Sequence, residues 1–189
     1  MKVMFPMVAA LEELRAARAL LDAERAALGV DPPLEVGVMV EVPAVAVGAE
    51  RFAREADFFS IGTNDLAQYA LAAERGNAHV AELAAGPVPA LLALVASVVE
   101  GAHAHGRWVG VCGELAGDPA SAVLLAGLGV DELSMAPPRI PDVKAALRAV
   151  DAADAGRVAR DALGADDATA AREAAAGLLG EPSARIAPS

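Results

Sequence analysis

A parallel α/β sheet is the fold this sequence predicts, on three observations. Five short runs rich in β-branched and aromatic residues, KVMFPM, LEVGVMVEV, DFFSIG, RWVGVC and DELSM, are continuously apolar rather than alternating, as strands buried on both faces are. Between them lie longer stretches with apolar residues at helical spacing, so that strand and helix alternate about five times. The unusual polar side chains fall at the carboxyl ends of the strand runs, where barrels of alternating strands and helices build their ligand sites.

The elements follow in order. KVMFPM opens the chain like a signal peptide, but Pro6 and the acidic pair Glu12 and Glu13 break that likeness. ALEELRAARALLDAERAAL is the first amphipathic helix, and AVAVGAERFAREA is the helix after the second strand. PALLALVASVVEGAHAHG is the next. Its apolar core, VPALLALVASVV, falls short of the roughly 20 residues that span a bilayer. PASAVLLAGLG follows the fourth strand, with Asp118 as N-cap and Pro119 at the first helical position. Gly106 and Gly129 end helices in left-handed C-cap positions. Pro141 and Asp142 open PDVKAALRAV. From about Asp151 two alanine-rich pieces, GRVARDAL and ATAAREAAAGLL, precede a frayed end, EPSARIAPS. The division is a strand-helix domain over residues 1–150 and a helical extension over 151–189.

The chain has 189 residues, 56% hydrophobic, with a formal net charge of −11. So acidic a balance excludes nucleic acid and an anionic membrane surface as partners, since both require a basic footprint. A single cysteine forms no internal disulfide, which fits a reducing cytoplasm. The chain reads as soluble.

Glu41, Asn64, Asp65, Cys112, Glu114 and Ser134 lie at or near strand carboxyl ends. An open doubly wound sheet binds ligands there too, so position alone does not choose between it and a barrel. A full barrel needs at least about 200 residues. Five strands make either an open unit or the later part of a larger barrel. Glu41 and Asp65 are two hard carboxylates at neighbouring strand ends, suited to Mg²⁺ with water and substrate oxygens. Each alone is as readily a loop acid paired with an arginine. Arg75, in AERGN, can grip a phosphate or carboxylate by its planar fork, although position alone favours an ion pair with Glu74. Asn64 can present its amide to the same anion or simply serve a turn. Cys112 is too soft for Mg²⁺ and would act as acid, base or nucleophile; a buried hydrophobic role is the commoner one for a free cysteine. His79, His103 and His105 match no zinc spacing and carry no catalytic assignment.

GVMVEVPAVAV, DFFSIGTNDLAQY, AERGN, GVCGELAGD and GVDELSM, in this order, resemble the C-terminal phosphoenolpyruvate-binding barrel of phosphoenolpyruvate-protein phosphotransferase, Enzyme I of the sugar phosphotransferase system. Pyruvate phosphate dikinase and phosphoenolpyruvate synthase share parts of GTND and CGE; ELAGD and TNDLAQY look more like Enzyme I. The resemblance runs from MFPM to the tail helices and implies the later part, about strands 4 to 8, of a TIM-type (β/α)8 barrel. It implies Glu41 and Asp65 as Mg²⁺ ligands, with Asn64, Asp65 and Arg75 as substrate-binding residues. Cys112 is implied as the acid that protonates enolpyruvate to pyruvate. The phosphoryl group would pass to a histidine of a separate domain and on to a histidine-containing phosphocarrier protein, in a cytoplasmic homodimer serving sugar uptake. The first barrel strands and the histidine domain have no counterpart here, so this chain is expected to be incomplete and inactive alone. Val42, Ala67 and Ala136-Pro137 depart from the family pattern. The alternatives are a non-catalytic, dimerising interaction fragment and a Mg²⁺-dependent lyase with a related barrel.

Overall fold

The computed structural model describes residues 1–74 and 76–180. Arg75 and the tail from residue 181 lie outside the described residues. Five strands, β1 (Lys2–Phe5), β2 (Glu35–Val40), β3 (Phe58–Gly62), β4 (Trp108–Cys112) and β5 (Glu132–Ser134), form one sheet in chain order. Every neighbouring pair is parallel. A doubly wound sheet reverses its order at a switch point and puts helices on both faces. Here the order never reverses, and right-handed crossovers then stack all helices on one side. The fold is therefore the later part of a TIM-type barrel, as the strand count and motifs predict.

Strand parity sets the two faces. Val38, Val40, Phe59, Ile61, Val109 and Val111 are buried in one cluster with Leu14 of α1 (Leu11–Leu28), Val45 of α2 (Pro43–Val47) and Phe52 of α3 (Ala49–Ala53). The same cluster takes Leu66 of α4 (Thr63–Leu71), Val95 of α5 (Pro89–His103) and Leu125 of α6 (Pro119–Gly127). The intervening positions, Met4, Gly37, Met39, Ser60, Gly110 and Cys112, point to the opposite, inner face, because successive strand side chains alternate. At the amino ends of the strands that face is closed by Phe58 stacked on Trp108, ring centroids 4.6 Å apart. The Lys2 ammonium lies 3.8 Å from the Trp108 ring centre, and Trp108 Nε1 donates to Glu35 at 3.2 Å. Gly37 has no side chain because the Phe58 ring occupies that place, 2.5 Å from where a Cβ would stand.

Outside the helical layer, α7 (Ile140–Ala149), α8 (Ala152–Leu163) and α9 (Ala168–Leu179) pack onto α6. This explains why PASAVLLAG is apolar all round: Ala120, Val123, Leu124 and Leu125 are all buried, between the sheet side and the outer helices. Asp118 caps α6 as expected, accepting from the Ser121 N–H at 3.0 Å. Gly106 and Gly129 take positive φ after their helices. The apolar stretch over residues 81–103 is interrupted: a 3-10 turn (Ala81–Ala84) precedes α5, which buries Leu91, Leu92, Val95, Val98 and Ala102 in the core.

Two elements differ from expectation. The helix expected over 44–56 is broken at Gly48 into α2 and α3. The break lies where α5 approaches most closely, since a Cβ on Gly101 would meet the Glu50 backbone nitrogen at 2.6 Å. Residues 63–71 form α4, a helix absent from the elements read off the sequence above.

Glycines of α6 and α9 give a test with opposed signs. A Cβ at Gly127 would stand 2.2 Å from the Ala155 carbonyl oxygen, whereas Gly177 of α9 has nothing within 4 Å. Gly177→Ala should stabilise by about 0.5–1 kcal/mol through helix propensity. Gly127→Ala should destabilise by about 1–3 kcal/mol, since the overlap with backbone outweighs that gain. Urea unfolding of both variants checks the pair; equal signs would disprove the α6–α8 contact.

Candidate active site

The carboxyl ends of β2, β3 and β4 converge through their register. Gly62 pairs with Cys112, and Cys112 with Ser134. Glu41 follows β2 directly and is buried, its Cγ only 2.8 Å from where a Gly62 Cβ would stand. Glycine at 62 is thus what lets Glu41 lie across the end of β3. Its Oε2 accepts from the Met7 N–H at 2.9 Å, which ties the loop after β1, where Met7 has φ 53°, to the site. Asn64 and Asp65 stand in the first turn of α4, immediately after β3, each half-buried.

Cys112 is half-buried on the inner face. Its thiol donates to the Ile61 carbonyl (3.5 Å), and Ser60 Oγ donates to its sulfur (3.7 Å). Thr63 Oγ1 donates to the Cys112 carbonyl at 3.2 Å and fastens the end of β4 to the start of α4. Gly113 then turns with φ 120° and ψ −175°, a region that favours glycine. A Cβ there would come within 2.6 Å of Thr63 Oγ1 and 3.3 Å of Asn64 Oδ1. Asn64 and Cys112 share a cleft of about 610 Å³ with Glu114, Ser134 and Arg139. A second cavity of about 460 Å³, lined by Thr63, Asn64, Glu114, Asp118 and Arg172, adjoins it.

The structure therefore brings Asn64 and Cys112 together and sets Glu41 on the β2 side, at the far edge of β3. Glu41 and Asp65 do not line the Cys112 cleft. Among the described residues no three His, Cys, Asp or Glu side chains converge as a metal cage. The donors at the β2 and β3 ends are two carboxylates, an all-oxygen set that fits Mg²⁺, which takes one or two carboxylates and completes its shell with water and substrate oxygens. Ser60, Thr63, Arg139 and Arg172 were not singled out in the sequence. Ser60 was legible, since it shares the inner face with Cys112; the arginines reach the site from later elements that no local pattern links to it.

Arg172 of α9 holds the loop after β4 from outside. Its Nη2 lies 2.7 Å from Asp118 Oδ1 and its Nε 3.3 Å from Oδ2, while the same Oδ2 accepts from Ser121 N–H and Oγ. Burial raises the Asp118 carboxyl, but Arg172 and the two Ser121 bonds together outweigh it and hold it below the usual carboxylate range. The pair raises the Arg172 guanidinium in turn.

Residues 1–152 match the family model described as PEP-utilising enzyme, PEP-binding domain. The phosphoenolpyruvate-protein phosphotransferase of Bacillus sp. (strain S) is 48% identical over 163 residues, covering 84% of this chain and 28% of that protein. The multiphosphoryl transfer protein of Xanthomonas campestris pv. campestris is 54% identical over 148 residues, 78% of this chain and 18% of that protein. The chain thus spans less than a third of the length of these relatives. A citrate lyase structure from Burkholderia xenovorans LB400 superposes on 100% of this chain and 66% of its own, with TM-score 0.59 at 16% identity, a likeness of fold.

The Asp118 pair sets a pH dependence. A carboxyl whose folded pKa is lowered contributes stability above its unfolded value of about 3.9 and loses it as pH falls through the folded value. The margin by which the wild type outlasts Arg172→Gln in thermal unfolding should be present at neutral pH and vanish on acidification below about pH 4. A margin that persists in acid would show that Arg172 acts by packing alone.

Proposed function

The chain belongs to the PEP-utilising enzymes, as their PEP-binding domain, and on that premise we propose that it forms the substrate-binding part of a phosphoenolpyruvate-protein phosphotransferase. The observation that carries the reading is that Asn64 and Cys112, from neighbouring strand ends, line one cleft, while Glu41 and Asp65 stand directly after β2 and in the first turn after β3. Phosphoenolpyruvate would lie across the end of β3. Its phosphate would face Asn64 and, by the motif, Arg75; its methylene carbon would face Cys112.

Each side chain has a role its chemistry allows. Glu41 and Asp65 would hold Mg²⁺, which when bound neutralises phosphate charge and orients its oxygens. Asn64 donates its amide to a phosphate oxygen. Cys112 delivers its proton to the carbon of enolpyruvate once the phosphoryl group has left. Ser60 Oγ, already donating to the sulfur, stabilises the thiolate that remains. Phosphoryl transfer of this kind is catalysed by positioning and electrostatics, so a rigid strand-end platform suits it. The acceptor is a histidine of another domain, followed by a histidine-containing phosphocarrier protein, within a cytoplasmic, homodimeric sugar-uptake system. The family and relatives named phosphoenolpyruvate-protein phosphotransferase support this reading.

Thermal unfolding of this chain with Mg²⁺ and phosphoenolpyruvate, singly and together, tests the reading. A ligand that binds only the folded state stabilises it by about 2.7 kcal/mol at a hundredfold excess over Kd. The midpoint should rise only when both are present, and the rise should disappear in Glu41→Gln with Asp65→Asn. A midpoint indifferent to the combination would place substrate binding outside this chain.

A further inference from the structure

Met7 holds a backbone conformation that its own surroundings in the chain do not require. Among the described residues, two residues other than glycine take positive φ, Met7 at 53° and Ala72 at 50°. Ala72 is the left-handed C-cap of α4, where a helix ends. Met7 ends no helix, since it stands in the loop between β1 and α1. Its side chain is 48% exposed, so packing does not impose the turn. The left-handed region is unfavourable for a residue with a Cβ and persists where other contacts over-determine it. Here the contact is the Met7 N–H on Glu41 Oε2, at 2.9 Å. The other oxygen of that carboxylate turns toward β3: Oε1 lies 3.2 Å from where a Gly62 Cβ would stand, closer than Cδ at 3.5 Å. Gly62 ends β3, and Asp65 follows in the first turn of α4. The two oxygens of buried Glu41 therefore face different neighbours, Oε2 the β1 loop and Oε1 the end of β3.

We propose that the Met7 N–H sets the cation selectivity of Glu41: by engaging Oε2 it leaves Oε1 as the single donor oxygen, so that Glu41 takes a divalent cation through one oxygen and favours Mg²⁺ over Ca²⁺. This rests on the reading of Glu41 as a Mg²⁺ ligand and adds to it a positioning group from the loop after β1. The reason lies in the two ions. Mg²⁺ is small, holds near-ideal octahedral geometry and keeps several waters. Ca²⁺ is larger, takes roughly six to eight oxygens, and gains from carboxylates that chelate through both. A carboxylate with one oxygen committed to a backbone donor withholds that chelation. The donor suits the task because the chain fixes it: an N–H held by a strained turn cannot rotate away as a hydroxyl or amide side chain can. Groups that orient a metal ligand in this way are worth about tenfold to a hundredfold in metal affinity.

Incorporating the α-hydroxy analogue of methionine at position 7 turns the Pro6–Met7 amide into an ester and deletes the donor alone. Mg²⁺ and Ca²⁺ are titrated into each protein at one fixed concentration of phosphoenolpyruvate, whose own chelation is common to all samples and cancels between them. The wild type should favour Mg²⁺, and the ratio Kd(Ca²⁺)/Kd(Mg²⁺) should fall by about threefold to tenfold in the ester. Met7→Ala, which keeps the donor and removes the side chain, should leave the ratio unaltered. A general loosening of the loop weakens both ions alike, so the ratio separates selectivity from mere support. Hydrogen exchange at the Met7 amide of the unaltered chain is a second measurement that does not depend on the ester folding: its protection should persist at saturating Mg²⁺. A wild type that favours Ca²⁺, a ratio unchanged in the ester or lowered equally by Met7→Ala, or Met7 protection lost on adding Mg²⁺ each overturns the proposal while leaving Glu41 a metal ligand. Binding of neither cation by the wild type removes that reading, and this proposal with it.

Discussion

Gly62 and Cys112 face each other across the parallel pair β3 and β4, and that register decides which side chains can meet. Were β4 moved by one residue against β3, Cys112 would turn into the helical layer and away from Ser60. Three contacts hold the register at its open end: Thr63 Oγ1 on the Cys112 carbonyl, the thiol on the Ile61 carbonyl, and Ser60 on the sulfur. The small residues at 62 and 113 follow from it. Glu41 fills the space a side chain at 62 would need, and Thr63 with Asn64 fills the space at 113.

Charge is organised around the same strand ends. The formal balance of the chain is strongly negative, and several of its cations are spent on structure. Arg15 binds Glu55, Arg18 reaches the Glu55 carbonyl and Asp57, and Arg107 approaches Asp57, so three arginines gather below the helical layer rather than near the site. At the site, Arg172 serves Asp118, which in turn caps α6.

The three central strands were legible because their burial writes a nearly continuous apolar run, whereas β1 and β5 keep the pattern although no residue of either is fully buried. DFFSIG and WVGVC could hardly be anything else between helices of clear period. The helical break at Gly48 was not legible, since it answers to the approach of Gly101 from another helix, a contact with no trace in residues 44–56. Nor was α4: TNDLAQYAL is short, and it is the core that claims Leu66 and Ala67 on one face. Of the site, Glu41, Asn64, Asp65 and Cys112 were found because each ends or follows a strand run. Arg139 and Arg172 were missed for the opposite reason, as each reaches the site from a position whose local sequence looks like ordinary surface.

These placements divide the strand ends between two tasks. On the β2 side of β3 lies Glu41, and Asp65 follows β3 in the first turn of α4; these are the two carboxylates proposed to hold a divalent cation. On the β4 side the Cys112 thiol, which accepts from Ser60 Oγ, lies in a cleft that Glu114, Asp118 and Arg139 also line. Asn64 stands between, at the first turn of α4, and lines both cavities on the β4 side. Such a partition is what a reaction with two unlike events requires: one end of the substrate loses a phosphoryl group to charge stabilisation, and the other gains a proton from a neutral acid. The separation across β3 is thus itself part of the proposed mechanism, and it exists only because consecutive parallel strands deliver their carboxyl ends side by side.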